Sequence, residues 1–201
     1  MQKLIGNLKK GLFFILSAPS GGGKTTLIRM LTKEYEKILE SVSFTTRETR
    51  EDEREGIDYF FISKEDFEEK IRSGFFLEYA KVYDNYYGTS KEYVKKHLNE
   101  GKHVVLVIDT QGALSLKNKV EASYIFISPP SLEELKMRII KRDGKDVKDL
   151  DKRLKWAEKE LKQIPYYDYN ITNFDINTSY EVLKSIFISE EHKVKNLGEK
   201  A

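Results

Sequence analysis

Residues 18–25 read Ala18-Pro19-Ser20-Gly21-Gly22-Gly23-Lys24-Thr25, directly after the apolar run Leu12-Phe13-Phe14-Ile15-Leu16. Leu27, Ile28, Met30 and Leu31 follow at the spacing of one helical face. A buried strand, a glycine-rich turn and a helix in that order make a phosphate-binding loop. Its glycines let backbone N–H groups turn inward around a polyphosphate, helped by the positive end of the helix that follows. Lys24 is expected to reach the β- and γ-phosphates and the Thr25 hydroxyl to ligate Mg²⁺, with Thr26 completing the donor contacts. One position departs from the strict G-x-x-x-x-G-K-[ST] pattern, because Ala18 stands where the first glycine would be. That outer position tolerates a small side chain better than the inner turn does. The bland alternative is a glycine-rich turn with a stray lysine; the flanking strand and amphipathic helix speak against it.

The 201 residues suffice for one sizeable core with a mobile subregion and are too few for two ordinary domains. Charged residues make up 34% of the chain, yet the formal net charge is only +2, which does not favour a nucleic-acid partner. No cysteine is present, so disulfides and thiol chemistry are excluded and a reducing compartment fits. Lys3, Lys9 and Lys10 before Leu12–Leu16 imitate a signal peptide. The apolar run is short, however, no A-x-A site follows, and cleavage there would destroy the loop. No run approaches the ~20 apolar residues of a membrane span. A cytoplasmic protein without a membrane partner is the expectation; monomer and homodimer both stay open.

Strand and helix patterns alternate, which predicts an α/β fold with a mostly parallel sheet. Strands are predicted at 12–17, 40–45, 103–109, 123–128 and 168–172. The run His103–Asp109 is continuously apolar before its acid, as in a central strand. Ser63 with Asp66 and Ser131 with Glu134 have capping-box spacing, and Gly74, Gly101 and Gly144 lie where helices end. Phe75–Tyr83, the turn Asn85–Gly88 and Tyr59–Ile62 suggest a small antiparallel subregion. Leu150, Leu154, Ala157, Leu161 and Ile164 fall at helical spacing before Pro165. The last dozen residues, in a polar tail of about 189–201, are expected to fray.

A second series of motifs follows the loop: Ser43-Phe44-Thr45-Thr46-Arg47, Arg50, Gly56-x-Asp58-Tyr59-Phe60, Phe76-Leu77-Glu78, Asn85-Tyr86-Tyr87-Gly88-Thr89 and Ile108-Asp109-x-Gln111-Gly112. With the loop, the series closely resembles the guanylate kinase family, whose members phosphorylate GMP with ATP. The resemblance covers roughly residues 12–188. It implies a P-loop nucleoside-monophosphate-kinase-like α/β fold in a single domain, with a mostly parallel sheet flanked by helices. A small mixed α/β GMP-binding insertion would span about 43–90 and a helical lid about 138–155.

Side-chain chemistry agrees with the resemblance. A dianionic phosphate wants convergent donors, and Arg47 and Arg50 offer planar forks. Tyr59 and Tyr87 match tyrosines that the family uses on the GMP phosphate. Guanine presents two N–H donors beside O6, and one carboxylate can accept from both; the resemblance gives Glu78 that role. Ser43 and Thr89 match hydroxyls on guanine, with Gly88 beside them. Adenine lacks the donor pair, so Glu78 would discriminate against AMP. Asp109 would hold Mg²⁺ through water or bind GMP; a strand-end acid capping the next helix is the plainer reading. The family often has Asp where Val107 stands. Singly, the arginines also read as a solvated basic patch, Glu78 as a surface strand residue and the tyrosines as ordinary core.

Residues 136–155 carry nine Lys/Arg against four Asp, a local excess hidden by the balanced total. Arg138, Arg142 and Arg153 match lid arginines on the nucleotide, although solvated helix faces would also be arginine-rich. Asn173 matches a position near the adenine, but Phe174 stands where the family has an acid. Lys24, Arg47, Arg142 and Arg153 are therefore the candidate catalytic residues. They would act by charge stabilisation, because the attacking phosphate oxygen is already anionic and needs no base. His97, His103 and His192 lack metal-ligand spacing. The expected function is phosphoryl transfer from ATP to GMP. A non-enzymatic relative that binds phosphopeptides and a kinase for another phosphorylated acceptor, such as a ribose bisphosphate, are the alternatives.

Overall fold

Phe13–Ser17 (β1) is buried along its whole length, as a continuous apolar run requires. Its side chains alternate between two cores, Phe14 and Leu16 to one and Phe13 and Ile15 to the other, so the strand is sandwiched. The computed structural model describes residues 4–51, 53–82, 84–144 and 149–199; the expectations that touch Lys3, Tyr83, Lys145, Asp146 and Lys148 lie outside the described residues.

From β1 the chain runs through helix Lys24–Glu34 (α1), strands Ile38–Glu40 (β2), Ser43–Thr45 (β3) and Tyr59–Phe61 (β4), and helix Lys64–Arg72 (α2). Strands Phe76–Val82 (β5) and Asn85–Ser90 (β6), helix Lys91–Asn99 (α3), strand His103–Val107 (β7) and helix Thr110–Leu116 (α4) follow. The last part holds strand Ser123–Ser128 (β8), helices Leu132–Asp143 (α5) and Leu150–Leu161 (α6), strand Tyr169–Thr172 (β9) and helix Ile176–Glu191 (α7). A five-stranded sheet has the order β2-β7-β1-β8-β9, and every pairing in it is parallel. Helices α1 and α7 cover one face through Leu27, Ile28, Leu31, Leu183 and Phe187. Val94 of α3 with Ala113 and Leu116 of α4 cover the other.

The second sheet has the order β4-β3-β6-β5. It is mixed rather than antiparallel throughout, because β4 returns parallel to β3 while β6 opposes both β3 and β5. The strand predicted at 40–45 is in fact two strands in two sheets. Ser41 still donates to the Val105 carbonyl, 2.9 Å, and the chain then leaves the first sheet for the second. Alternation of side chains continues across such a junction, so it carries no trace of the change. The strand predicted to end at Asp109 stops at Val107, and Asp109 instead caps α4 by accepting from the Gly112 N–H at 2.8 Å.

The helix caps are as predicted: Ser63 accepts from the Asp66 N–H and Ser131 from the Glu134 N–H. Among the described residues, up to Glu199, the expected fraying is not found. Helix α7 runs to Glu191, which is 1% exposed, and a 3-10 segment spans Val194–Glu199. The Glu191 carboxylate accepts from the Gly6 N–H (2.6 Å), the Asn7 N–H (2.9 Å) and His103 Nε2 (2.7 Å). Because His103 Nδ1 accepts from the Leu12 N–H, Nε2 is the nitrogen that carries the proton. A run of polar residues is thus pinned by buried pairing that composition conceals. Among the described residues no helix is long and apolar enough to cross a membrane.

Candidate active site

A cavity of about 720 Å³ opens at the carboxyl ends of β1, β2 and β7, where open α/β sheets place ligands. The second sheet forms the opposite wall, and α5 and α6 contribute Arg138, Arg142, Trp156 and Glu160.

On one side of the cavity the glycine-rich loop joins β1 to α1. Gly23 has φ +102, and a Cβ there would lie 2.4 Å from Asn173 Nδ2, so both backbone conformation and space demand glycine. Asn173 is buried and props the loop: its Nδ2 donates to the Gly22 carbonyl at 2.9 Å while its Oδ1 accepts from Ser179 at 3.0 Å. It does not line the cavity, and neither does Gly22. Lys24 lines the cavity and donates to the Ala18 carbonyl. Burial lowers its pKa, opposed by the negative charges of Glu160 and Asp109. The hydroxyls of Thr25 and Thr26 are on the exposed first turn of α1 at the cavity wall, beside Ala18, Pro19, Ser20 and Gly21.

Two arginines converge on Ser20 of the loop, Arg153 at 2.8 Å and Arg142 at 3.5 Å from its Oγ. Asp143 gathers both, at 2.6 Å from each, and the Arg142 hydrogen bond leads in holding its carboxyl well below the usual range. Arg138 pairs with Glu134 at 3.0 Å and donates to the Asn173 carbonyl at 2.9 Å. The predicted arginines therefore surround the loop from two helices.

On the opposite side Glu78 is 6% exposed, yet it lines the cavity. Thr89 donates to it at 2.7 Å. Burial, with a contribution from Asp109, pushes Glu78 up to about 7 despite that bond. A Cβ on Gly112 would stand 2.8 Å from its Oε2, so glycine there makes room for the acid. Ser43, Arg50, Tyr59, Tyr87, Val107 and Asp109 share the wall. Burial raises the pKa of Tyr59, which keeps its hydroxyl a donor, and that of Asp109. Arg47 lies behind this wall: both carboxylate oxygens of Glu53 take its guanidinium (2.6 and 2.9 Å), which sits 5.4 Å from the Tyr59 ring centre. Gly88 is also behind it, because a Cβ would strike Phe67 and Phe76 at 2.9 Å.

Three features escaped the sequence reading. Glu53 is the partner that fixes Arg47. Arg29 of α1 reaches Asp58 at 3.6 Å and ties the two sides of the cavity. Glu160 of α6, which the sequence patterns do not single out, is 5% exposed and lines the cavity. Arg153, Trp156 and Glu160 fall at i, i+3 and i+7, one stripe of α6 beside the apolar one.

A family model described as "Guanylate kinase" matches residues 10–190. The guanylate kinase of Protochlamydia amoebophila (strain UWE25) is 51% identical over 189 residues, 94% of this chain and 96% of that one. That of Clostridioides difficile (strain 630) is 48% identical over 188 residues, 93% and 92% of the two chains. The crystal structure of guanylate kinase from Anaplasma phagocytophilum superposes with a TM-score of 0.77 at 34% identity, covering 93% of this chain and 89% of that one. A phosphate loop facing a buried carboxylate across one cavity, and matches over nearly the full length, place this chain in the guanylate kinase family.

Proposed function

We propose that this protein transfers the γ-phosphoryl group of ATP to GMP, giving ADP and GDP, with Mg²⁺ as its ion, and serves purine nucleotide metabolism in the cytoplasm. The observation that carries the reading is Glu78, a buried carboxylate on the same cavity as Lys24 and the loop. Guanine's two N–H donors suit that carboxylate, with the hydroxyls of Thr89 and Ser43 completing the reader. Arg50, Tyr59 and Tyr87 supply cations and donors for the GMP phosphate, and Arg47 backs them from behind Tyr59. The loop N–H groups, Lys24 and the arginines of α5 and α6 take the donor's phosphates and the charge that spreads over the transferred group. Arg142 and Arg153 rest on Ser20 of the loop, and a lid that carries them over the bound nucleotide shuts out water that would waste ATP.

The residues fit a magnesium site. Among the described residues no group of three or more His, Cys, Asp or Glu could hold a metal alone. Thr25, on the exposed first turn of α1, and Asp109, on the wall of the same cavity, would hold the ion, the Thr25 hydroxyl directly and Asp109 through water. When bound, Mg²⁺ neutralises charge on the donor phosphates. The test is ADP release from ATP with GMP, AMP and a ribose bisphosphate as acceptors. GMP-dependent turnover that falls by about 10³-fold in Lys24→Ala, with folding intact, supports the reading; no turnover with GMP, or undiminished turnover in the variant, refutes it.

A further inference from the structure

Helix α6 aims one carboxylate at the donor half of the cavity, where polyphosphate binding calls for cations. Glu160 is 5% exposed, lines the cavity with Lys24 and, among the described residues, accepts no side-chain hydrogen bond. A buried, unpartnered acid facing an anion site is costly unless it acts on something there. Lys24 from the head of α1, Asp109 from the head of α4 and Arg142 of α5 line the same cavity; the charges of Lys24 and Asp109 act on Glu160, and its own charge acts on Tyr167 in the segment before β9. Among the described residues Lys24 donates only to the Ala18 carbonyl, and Glu160 is the foremost negative charge acting on its ammonium from the same cavity.

We propose that Glu160 is a positioning residue: its negative charge holds the Lys24 ammonium toward the cavity, at the expense of donor affinity, so that the ammonium follows the phosphoryl group as it transfers. The inference rests on the donor site assigned above. Glu160 then repels ground-state phosphates and favours turnover, the opposite of what a merely structural acid would do.

Calorimetric binding of Mg-ADP at pH 8, beside kcat for GMP phosphorylation, separates these roles. Burial pushes the Glu160 carboxyl up to about 7, so it is mostly charged at pH 8. Glu160→Gln should bind ADP about three- to tenfold more tightly while kcat falls about tenfold, and Glu160→Asp, which keeps the charge, should move both back toward the native values. At pH 6 the native protein and Glu160→Gln should converge in ADP affinity. Unchanged or weaker ADP binding by a folded Glu160→Gln at pH 8 overturns the inference. Absence of ADP binding by the native protein would instead overturn the donor site on which it rests.

Discussion

Glu78 shows how burial sets the chemistry of a single residue. Its carboxyl is pushed up to about 7 by desolvation, but only the charged form accepts from both guanine N–H donors. Under the proposed function, guanine would offset the cost of burying this acid by restoring hydrogen bonds, and selectivity would come from leaving it unpaired with adenine. Below pH 7 the free protein carries a protonated Glu78, so kcat/KM for GMP should fall as pH drops from 8 to 6. Glu78→Gln should lose that limb and lower kcat/KM for GMP by about 10²-fold, with AMP less affected. Steady-state kinetics with both acceptors across that pH range checks it; a Gln variant that keeps native GMP selectivity contradicts the guanine role.

At the scale of elements, the loop is held by its neighbours as much as by its own glycines. Asn173, at the end of β9, ties the Gly22 carbonyl to Ser179 of α7. Asn173→Ala leaves a buried carbonyl and hydroxyl without that partner, and the loop loses a fixed shape. Binding of adenine-free tripolyphosphate should then weaken about tenfold, as ATP binding does, since each lost buried bond costs ~1–3 kcal/mol. Loss confined to ATP, measured by calorimetry, would instead assign Asn173 to the adenine, as the family resemblance suggests. The strands and helices around the loop were legible because local rules produce them: β1 and β7 are continuous apolar runs, and Ser63 and Ser131 are caps with partners three residues away. The break at Ser41 was not, because leaving one sheet for another is decided by distant Val105. Glu160 was hidden for a related reason. Helical spacing shows which residues share a stripe of α6, but not that the stripe beside the apolar one meets a cavity built by other elements.

For the whole molecule, the chain ends matter as much as the cavity. Glu191 at the end of α7 binds Gly6 and Asn7 near the start of the chain and His103 at the start of β7. Three distant segments thus meet at one carboxylate, on the opposite end of β7 from Asp109. Burial works against its charge, but the bonds from His103, Gly6 and Asn7 outweigh it and hold the carboxyl down to about 2. A carboxyl that is lower in the folded protein than its usual 4.5 contributes stability above that value, and the contribution fades as pH falls toward 2. Glu191→Ala should cost about 3 kcal/mol at pH 7 by leaving buried N–H donors unpaired, which lowers Tm by about 6–12 °C for a chain of this size. The deficit relative to the native protein should shrink as pH falls from 4.5 toward 2, because the native carboxylate is then being neutralised too. The KM for GMP should not move, since the clamp contributes no atom to the cavity. Thermal unfolding of both proteins over that pH range, with GMP kinetics at pH 7, tests the role: a deficit that persists undiminished near pH 2 would show that Glu191 acts through packing rather than through its charge.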